Sequence, residues 1–133
     1  MTPETVLGIL LAHLVGDYVF QSHWMATQKV ERWWPAIVHG VTYTLPYALV
    51  TQSPWALLVI CLTHIVIDRF RLAKHVGWLK NQLGPRSSRP TWSEAMANGG
   101  YSVTTPQWMS IWLMIVTDNT LHLLINTAAV VWL

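Results

Sequence analysis

The chain has 133 residues, of which 53% are hydrophobic and only 11% are charged, and its net charge is +2. Soluble domains carry roughly 25% charged residues, so this composition argues against an ordinary soluble domain and is typical of an integral membrane protein. Nine Trp residues fit the aromatic belts at the two faces of a bilayer. Membrane lipid is therefore an expected partner, and no nucleic acid is expected.

Proline positions predict where the helices begin. Proline is favoured at the first helical position, especially behind a Ser or Thr cap. Such sites are Thr2-Pro3, Trp34-Pro35, Ser53-Pro54 and Thr105-Pro106. Strand signals are absent. The sequence thus predicts an all-α fold, a single transmembrane domain over residues 1–133, with helices at about 3–21, 35–51, 54–83 and 106–133.

The third predicted helix changes character near its end. Beyond Asp68, apolar and basic residues mix in an amphipathic pattern, which predicts a basic extension lying at the membrane interface. Gly84-Pro85 ends this extension, and residues 86–105 form the one long loop of the chain. The loop is either a lid over a site or a simple connector.

The basic residues predict the orientation in the membrane. All eight fall in two segments, which contain Lys29 and Arg32, and then Arg69, Arg71, Lys74, Lys80, Arg86 and Arg89. Loops rich in Lys and Arg face the cytoplasm. Because the two segments follow the first and third predicted helices, we expect both chain termini to lie outside, N-out and C-out.

Three pairs of His and Asp interrupt the apolar helices. In each pair the members are four residues apart and share one helical face: His13 with Asp17, His64 with Asp68, and His122 with Asp118. At ~1.5 Å per residue, His39 reaches a similar depth in the second helix. An ionisable side chain at the bilayer centre costs about 2.5–3.5 kcal/mol on insertion scales. No Lys or Arg within the helices is placed to pair with all three aspartates, which predicts a divalent cation.

The donor residues predict a metal centre in the cytoplasmic half of a four-helix bundle. The predicted ligands are His13, Asp17, His39, His64, Asp68, Asp118 and His122. They outnumber the ligands of one tetrahedral ion, which favours two ions bridged by a carboxylate. Imidazole with carboxylate suits Zn²⁺ or Mn²⁺, with Fe²⁺ as a further option. Polar residues expected to orient these ligands are Gln21, Tyr43, Asn119 and Asn126.

The chain also resembles a known family. The motifs that carry the resemblance are His13-x3-Asp17, the run 63–73 followed by Lys80-Asn81, and the run 118–126. They are similar to small phage and bacterial membrane proteins grouped as domain of unknown function 3307, over nearly the whole chain. The resemblance implies a four-helix architecture and a host or phage origin. The predicted location is the bacterial inner (plasma) membrane. A looser similarity, in His- and Asp-bearing helices only, is to membrane-bound metal-dependent hydrolases.

These features together predict a membrane-embedded two-metal hydrolase, in which water activated by the metals is the nucleophile. The expected catalytic residues are Asp17, Asp68 and Asp118. The bases expected to hold an anionic group are Arg69, Arg71 and Lys74. A phosphate or pyrophosphate ester of a lipid or nucleotide, taken from the cytoplasmic interface, is the expected substrate. The positive-inside rule accounts for the same bases equally well.

Two other classes of function stay open. A metal-ion or proton transporter would also line its path with Asp and His, but it needs polar residues along the whole path, and the outer halves of the predicted helices are largely apolar. A phage membrane protein that acts through a host partner would use the metal only for structure. A homo-oligomer is compatible with each class.

Overall fold

The computed structural model describes residues 1–133 and contains helices and no strand, which confirms the predicted all-α fold. The seven α-helices are α1 (Pro3–Leu14), α2 (His23–Gln28), α3 (Trp33–Thr44), α4 (Pro54–Phe70), α5 (Leu72–Asn81), α6 (Trp92–Ala97) and α7 (Gln107–Trp132). The chain divides into two compact units. The first comprises residues 1–70 with 122–133, and the second comprises residues 71–121.

The first helical run begins as the sequence predicts and ends in a π turn. The Thr2 side chain accepts a hydrogen bond from the Thr5 backbone N–H, and Pro3 is the first helical residue. α1 then passes into a π-helical turn, Val15–Val19, in which the Phe20 N–H donates to the Val15 carbonyl over 2.9 Å. The run therefore ends at Val19 rather than at the predicted residue 21.

The second helical run begins earlier than predicted. α3 starts at Trp33 instead of residue 35, with Arg32 as an extended cap residue. It continues into a 3₁₀ turn, Leu45–Leu49. Pro46 has no N–H to donate, so the α-helical hydrogen-bond pattern cannot pass through it. The change of helix type at this point has that local cause.

The predicted helix 54–83 is wrong as a single element. α4 ends at Phe70, Arg71 adopts a left-handed conformation with a φ of 47°, and α5 follows over Leu72–Asn81. A left-handed backbone places the Cβ atom against the following carbonyl oxygen, which costs roughly 1–2 kcal/mol in a residue other than glycine. Nothing in the residue types at this junction reveals the break.

The first unit has a core to which four helical segments contribute. Its buried members are Ile9 and Ala12 of α1, Tyr43 and Tyr47 of the second run, Ala56 and Ile60 of α4, and Ala129 of α7. Two glycines let the backbones approach. A Cβ on Gly16 would lie 2.9 Å from the Tyr43 carbonyl oxygen, and one on Gly40 would lie 3.3 Å from the Cys61 carbonyl oxygen.

The second unit contains α5, α6 and the first part of α7. Within it, Gly77 of α5 packs against the turn at Gly99 and Gly100, where both φ values are positive. The predicted long loop 86–105 is partly helical, because it includes a 3₁₀ turn, Arg86–Ser88, and α6. α6 begins with a capping box formed by Thr91 and Glu94.

α7 is the one helix that is long and apolar enough to cross a membrane, judged by length and composition. The other helical runs are shorter. From Pro3 to Val19, from Trp33 to Leu49 and from Pro54 to Phe70 they comprise seventeen residues each.

Candidate metal centre

Asp17 reaches the centre of the first unit from the π turn. A π turn adds a residue to the helical repeat and is often found at functional sites. Here it contains Gly16 and Asp17, and both are buried. Because Gly16 has no side chain, α3 lies close to this turn, and the Asp17 carboxylate meets the face of α3 that carries His39.

α4 supplies two further donors from one helical face. His64 and Asp68 are separated by one turn, and their Nε2 and Oδ2 atoms are 3.2 Å apart. His39 faces them from α3, with its Nε2 atom 3.0 Å from Nε2 of His64. His39 and His64 have no exposed surface, and Asp17 and Asp68 are 8% and 6% exposed.

One compact group consists of four donor atoms, Asp17 Oδ1, His39 Nε2, His64 Nε2 and Asp68 Oδ2. All of them lie within 4.8 Å of one another. His39 Nε2 is 3.2 Å from each carboxylate oxygen, and His64 Nε2 is 3.4 Å from that of Asp17. A tetrahedral ion with bonds of about 2.0–2.1 Å holds its donor atoms about 3.3–3.4 Å apart. The spacing therefore fits a small tetrahedral cation.

The types of donor atom in this group argue against calcium. Ca²⁺ takes about 6–8 oxygen ligands at about 2.3–2.6 Å, whereas these donors are two nitrogens and two oxygens. Mixed imidazole and carboxylate ligation is typical of zinc and of other transition metals. The chemistry of the donors and their spacing thus lead to the same group of ions.

The His39 and His64 rings face the centre with Nε2 and make no hydrogen bond through Nδ1. The Nδ1 atoms of both rings are buried and have no hydrogen-bond partner. Ligand histidines usually donate from this position to a carboxylate or carbonyl. The His64 ring is instead oriented by packing, because the Tyr43 ring stacks on it with 3.5 Å between the centroids and 16° between the planes.

His13 and His122 contact the outer oxygens of the two carboxylates. His13 Nδ1 is 3.5 Å from Asp17 Oδ2, and His122 Nε2 is 3.3 Å from Asp68 Oδ1. Both rings are 1% exposed. Each carboxylate therefore has one oxygen in the tetrahedral group and the other directed to a further histidine, which is the arrangement that a bridging carboxylate needs.

A hydrogen-bonded network lies behind the histidines. The Tyr43 hydroxyl is 2.8 Å from Nδ1 of His13 and accepts a 2.6 Å hydrogen bond from Nδ2 of Asn126. Asn126 also donates to the Tyr47 hydroxyl over 2.7 Å, and Tyr47 donates to the Ile9 carbonyl over 3.3 Å. The sequence predicts that Tyr43 and Asn126 orient the ligands. In the structure Tyr43 contacts His13 and His64, and Asn126 contacts the tyrosine hydroxyls rather than a predicted ligand.

Lys29 brings a positive charge to the centre. Its Nζ atom is 2.5 Å from Asp68 Oδ2, the same oxygen that faces His39 and His64. Lys29 lies in the connection between α2 and α3, outside the predicted helices, and the sequence identified it only as a marker of orientation. Asp68 is thus partly neutralised by the protein itself.

The other predicted residues have different surroundings. Gln21 donates to the backbone carbonyl of Asp17 over 2.8 Å rather than to its carboxylate. Arg69 donates to the carbonyls of Val30 and Glu31. Four predicted site residues, Arg71, Lys74, Asp118 and Asn119, belong to the second unit, where all but the exposed Arg71 are half-buried. Their predicted roles stay predictions.

Sequence reasoning missed Lys29 and Tyr47. Tyr47 could have been found, because it lies four residues past Tyr43 and eight past His39 on one helical face. Lys29 carries no such signal, since a loop has no period that would relate it to Asp68 of a distant helix.

The fold and the site define an all-α protein with a buried group of His and Asp residues within metal-binding distance. The chain belongs to a family described as protein of unknown function, DUF3307, whose model matches residues 6–133. This match confirms the family resemblance. No curated protein and no solved structure was found to match the chain.

Proposed function

We propose that this protein is an integral membrane hydrolase, built as a four-helix bundle around a divalent metal centre. The single observation that carries the proposal is the buried group formed by Asp17, His39, His64 and Asp68, whose donor atoms lie within 4.8 Å of one another. Two carboxylates brought this close repel each other unless a cation lies between them or beside them. The ion we favour is Zn²⁺, with Mn²⁺ and Fe²⁺ as the alternatives.

The distribution of polarity supports a membrane location. In the first unit the His and Asp residues of the centre are buried, whereas many apolar side chains are between 41% and 64% exposed. They include Leu7, Leu11, Leu14, Val41, Leu58, Leu62, Val66, Leu124 and Val131. Soluble monomers rarely expose large contiguous apolar patches. Only 17% of the most apolar stretch of α7 is buried, unlike the core helix of a soluble protein.

Helix lengths support the same location. Runs of seventeen residues measure about 25 Å and are at the short end of the lengths that span a hydrocarbon core of ~30 Å. The four histidines lie at one depth. His13 is ten residues past Pro3, His64 is ten past Pro54, His39 is ten before Leu49, and His122 is ten before Trp132. Ten residues rise about 15 Å, which is half the hydrocarbon thickness.

Hydrolysis is favoured over transport because one end of the bundle is sealed. Beyond the Tyr47 hydroxyl, the core continues with Ala56, Ile60 and Ala129, which are all apolar and buried. A conduit would need polar groups there. At the opposite end, Asp17 and Lys29 have side chains that are 10% and 16% exposed. A substrate would approach the centre from this end.

A bound divalent ion would polarise a substrate oxygen and lower the pKa of a water molecule beside it. The chain's own residues would hold the ion, exclude bulk water and orient the substrate. Phosphate and pyrophosphate esters of lipids or nucleotides are the substrate class we propose. The outer oxygens of Asp17 and Asp68, which face His13 and His122, are the positions at which a second ion would bind.

Metal analysis of the purified protein tests the centre. We expect a stoichiometric transition metal in the wild type, its loss in His64→Ala, and a lower melting temperature on adding a chelator, since a bound ion stabilises only the folded state. His23→Ala, at an exposed position of α2, is the matched control and should keep the metal. A wild type without transition metal would overturn the metal centre.

A panel of phosphorylated lipids and nucleotides, assayed in detergent with Zn²⁺ or Mn²⁺, tests the activity. Asp17→Asn should abolish turnover, whereas Glu4→Gln, which removes an exposed acid from α1, should leave it unchanged. Metal-loaded protein that is inactive on the whole panel would contradict the hydrolase. Metal flux into proteoliposomes that is lost in His39→Ala would favour a transporter instead.

A further inference from the structure

Lys29 is the one basic side chain of the first unit that contacts the metal centre. The unit has three Lys and Arg residues, which are Lys29, Arg32 and Arg69. We infer that Lys29 holds the anionic phosphoryl group of the substrate beside the metal, an inference that rests on the proposed hydrolase function. The 2.5 Å contact between its Nζ atom and Asp68 Oδ2 is the observation that leads to it.

The surroundings of Arg69 argue against that residue as the anion holder. Its guanidinium donates to the carbonyls of Val30 and Glu31 and lies 5.2 Å from the centre of the Trp33 ring. Both terminal nitrogens of the guanidinium thus donate to the backbone of the connection that follows Lys29. Arg69 therefore fixes this connection, and with it the position of Lys29, at the end of α4.

The position of Lys29 suits a substrate that enters from the open end of the bundle. Its side chain is 16% exposed, while the histidines behind Asp68 are fully buried. The residue caps the C-terminus of α2, where its N–H donates to the Met25 carbonyl. An anion that approaches the centre from this end meets the Lys29 ammonium before it meets the metal ligands.

The bonding capacity of Lys29 is sufficient for this role. An ammonium group has three N–H donors, of which Asp68 takes one, so two remain for phosphoryl oxygens. Asp68 Oδ2 can accept from Lys29 and still present a second lone pair to an ion. Lys29 would then contact a phosphoryl group beside the metal without giving up its contact with Asp68.

Binding of inorganic phosphate to the Mn²⁺-loaded full-length protein tests this inference, because paramagnetic broadening of the ³¹P signal reports phosphate beside the ion. Lys29→Met should weaken phosphate binding roughly 10- to 100-fold, the effect of losing a charge-assisted hydrogen bond. Lys29→Arg should restore part of it. Arg32→Met, at an exposed position of the same connection, is the control and should match the wild type.

A second measurement does not depend on the folding of a variant. Phosphate should protect Lys29 of the wild type from acetylation, as read by mass spectrometry. Equal phosphate affinity in Lys29→Met and wild type, or no protection of Lys29, would overturn the inference even with the metal fully bound. Absence of metal in the wild type would instead contradict the proposed function, so the two failures are distinguishable.

Discussion

Tyr43 is the residue on which the order of the candidate centre depends most. Its ring stacks on His64, while its hydroxyl contacts His13 and accepts a hydrogen bond from Asn126. A single side chain thus links residues of three helices. Tyr43 is fully buried. If its side chain were removed, its hydrogen-bond partners would lose this contact and would have no water to replace it.

Tyr43→Phe separates the two contributions of this side chain. The stack on His64 is kept and the hydroxyl is lost, so we expect a loss of about 1–3 kcal/mol in the free energy of unfolding, from polar groups left unsatisfied. Tyr47→Phe is the comparison, since it also loses hydrogen bonds but does not contact His13. Only Tyr43→Phe should also weaken metal binding in a competition assay. Equal metal affinity in both variants would contradict a link between the Tyr43 hydroxyl and the centre.

Arg71 offers a second test at this scale. It is the only non-glycine residue with positive φ. Arg71→Gly should therefore raise the free energy of unfolding by about 1 kcal/mol, because glycine adopts the left-handed conformation freely. Lys74→Gly, within α5, should lower it by about as much, since glycine weakens a helix interior. Chemical denaturation of the two variants measures both changes, and an Arg71→Gly variant that is no more stable than the wild type would contradict the strain.

At the scale of elements, the π turn positions the first carboxylate. It follows α1 without a break and packs closely against α3 through Gly16. A regular α-helix over the same residues would turn Asp17 to another direction, because the π turn changes the angular register of everything after it. His13 and Asp17 do contact each other, with 3.5 Å between Nδ1 and Oδ2. The contact is made through a π turn, however, and not through the regular α-helix that the sequence predicts.

Gly16→Ala and Gly8→Ala form a matched pair within this helical run. A Cβ at Gly16 would meet the backbone of Tyr43, which cannot move aside, so we expect destabilisation of about 1–3 kcal/mol and weaker metal binding. A Cβ at Gly8 would meet only the Val50 side chain at 3.3 Å. Gly8→Ala should be neutral or slightly stabilising. Thermal unfolding in detergent compares them, and equal melting temperatures would show that the turn tolerates a side chain.

For the membrane hydrolase proposed above, the orientation of the molecule would decide which side of the membrane supplies the substrate. Single cysteines at Gln52 and Ser87, in a Cys61→Ser background, should react with a membrane-impermeant reagent from opposite sides. Both positions are exposed, and the positive-inside rule puts only Ser87 in the cytoplasm. Labelling of both from one side would contradict the orientation. It would also remove the cytoplasmic access proposed for the centre.

Local sequence accounts for the helical class, two of the helix starts and the spacing of the donors. Thr2-Pro3 and Ser53-Pro54 act locally, so a start at Pro3 or Pro54 needs no information from the rest of the chain. The four-residue spacing of His64 and Asp68 likewise places both on one face of any regular helix. Such features are set by bonds within a few residues of one another.

Packing between distant segments accounts for which donors meet and for what lies beside them. The tetrahedral group joins atoms from the π turn, α3 and α4, and Lys29 reaches Asp68 across 39 positions of sequence. The break at Arg71, which contradicts the continuous helix 54–83, has no local signal. These features depend on how closely helices approach, through Gly16 and Gly40, and on how loops are held. The distances between helices and loops are set by packing between segments that are remote in sequence. Sequence periodicity and helix propensity describe local structure and do not predict these distances.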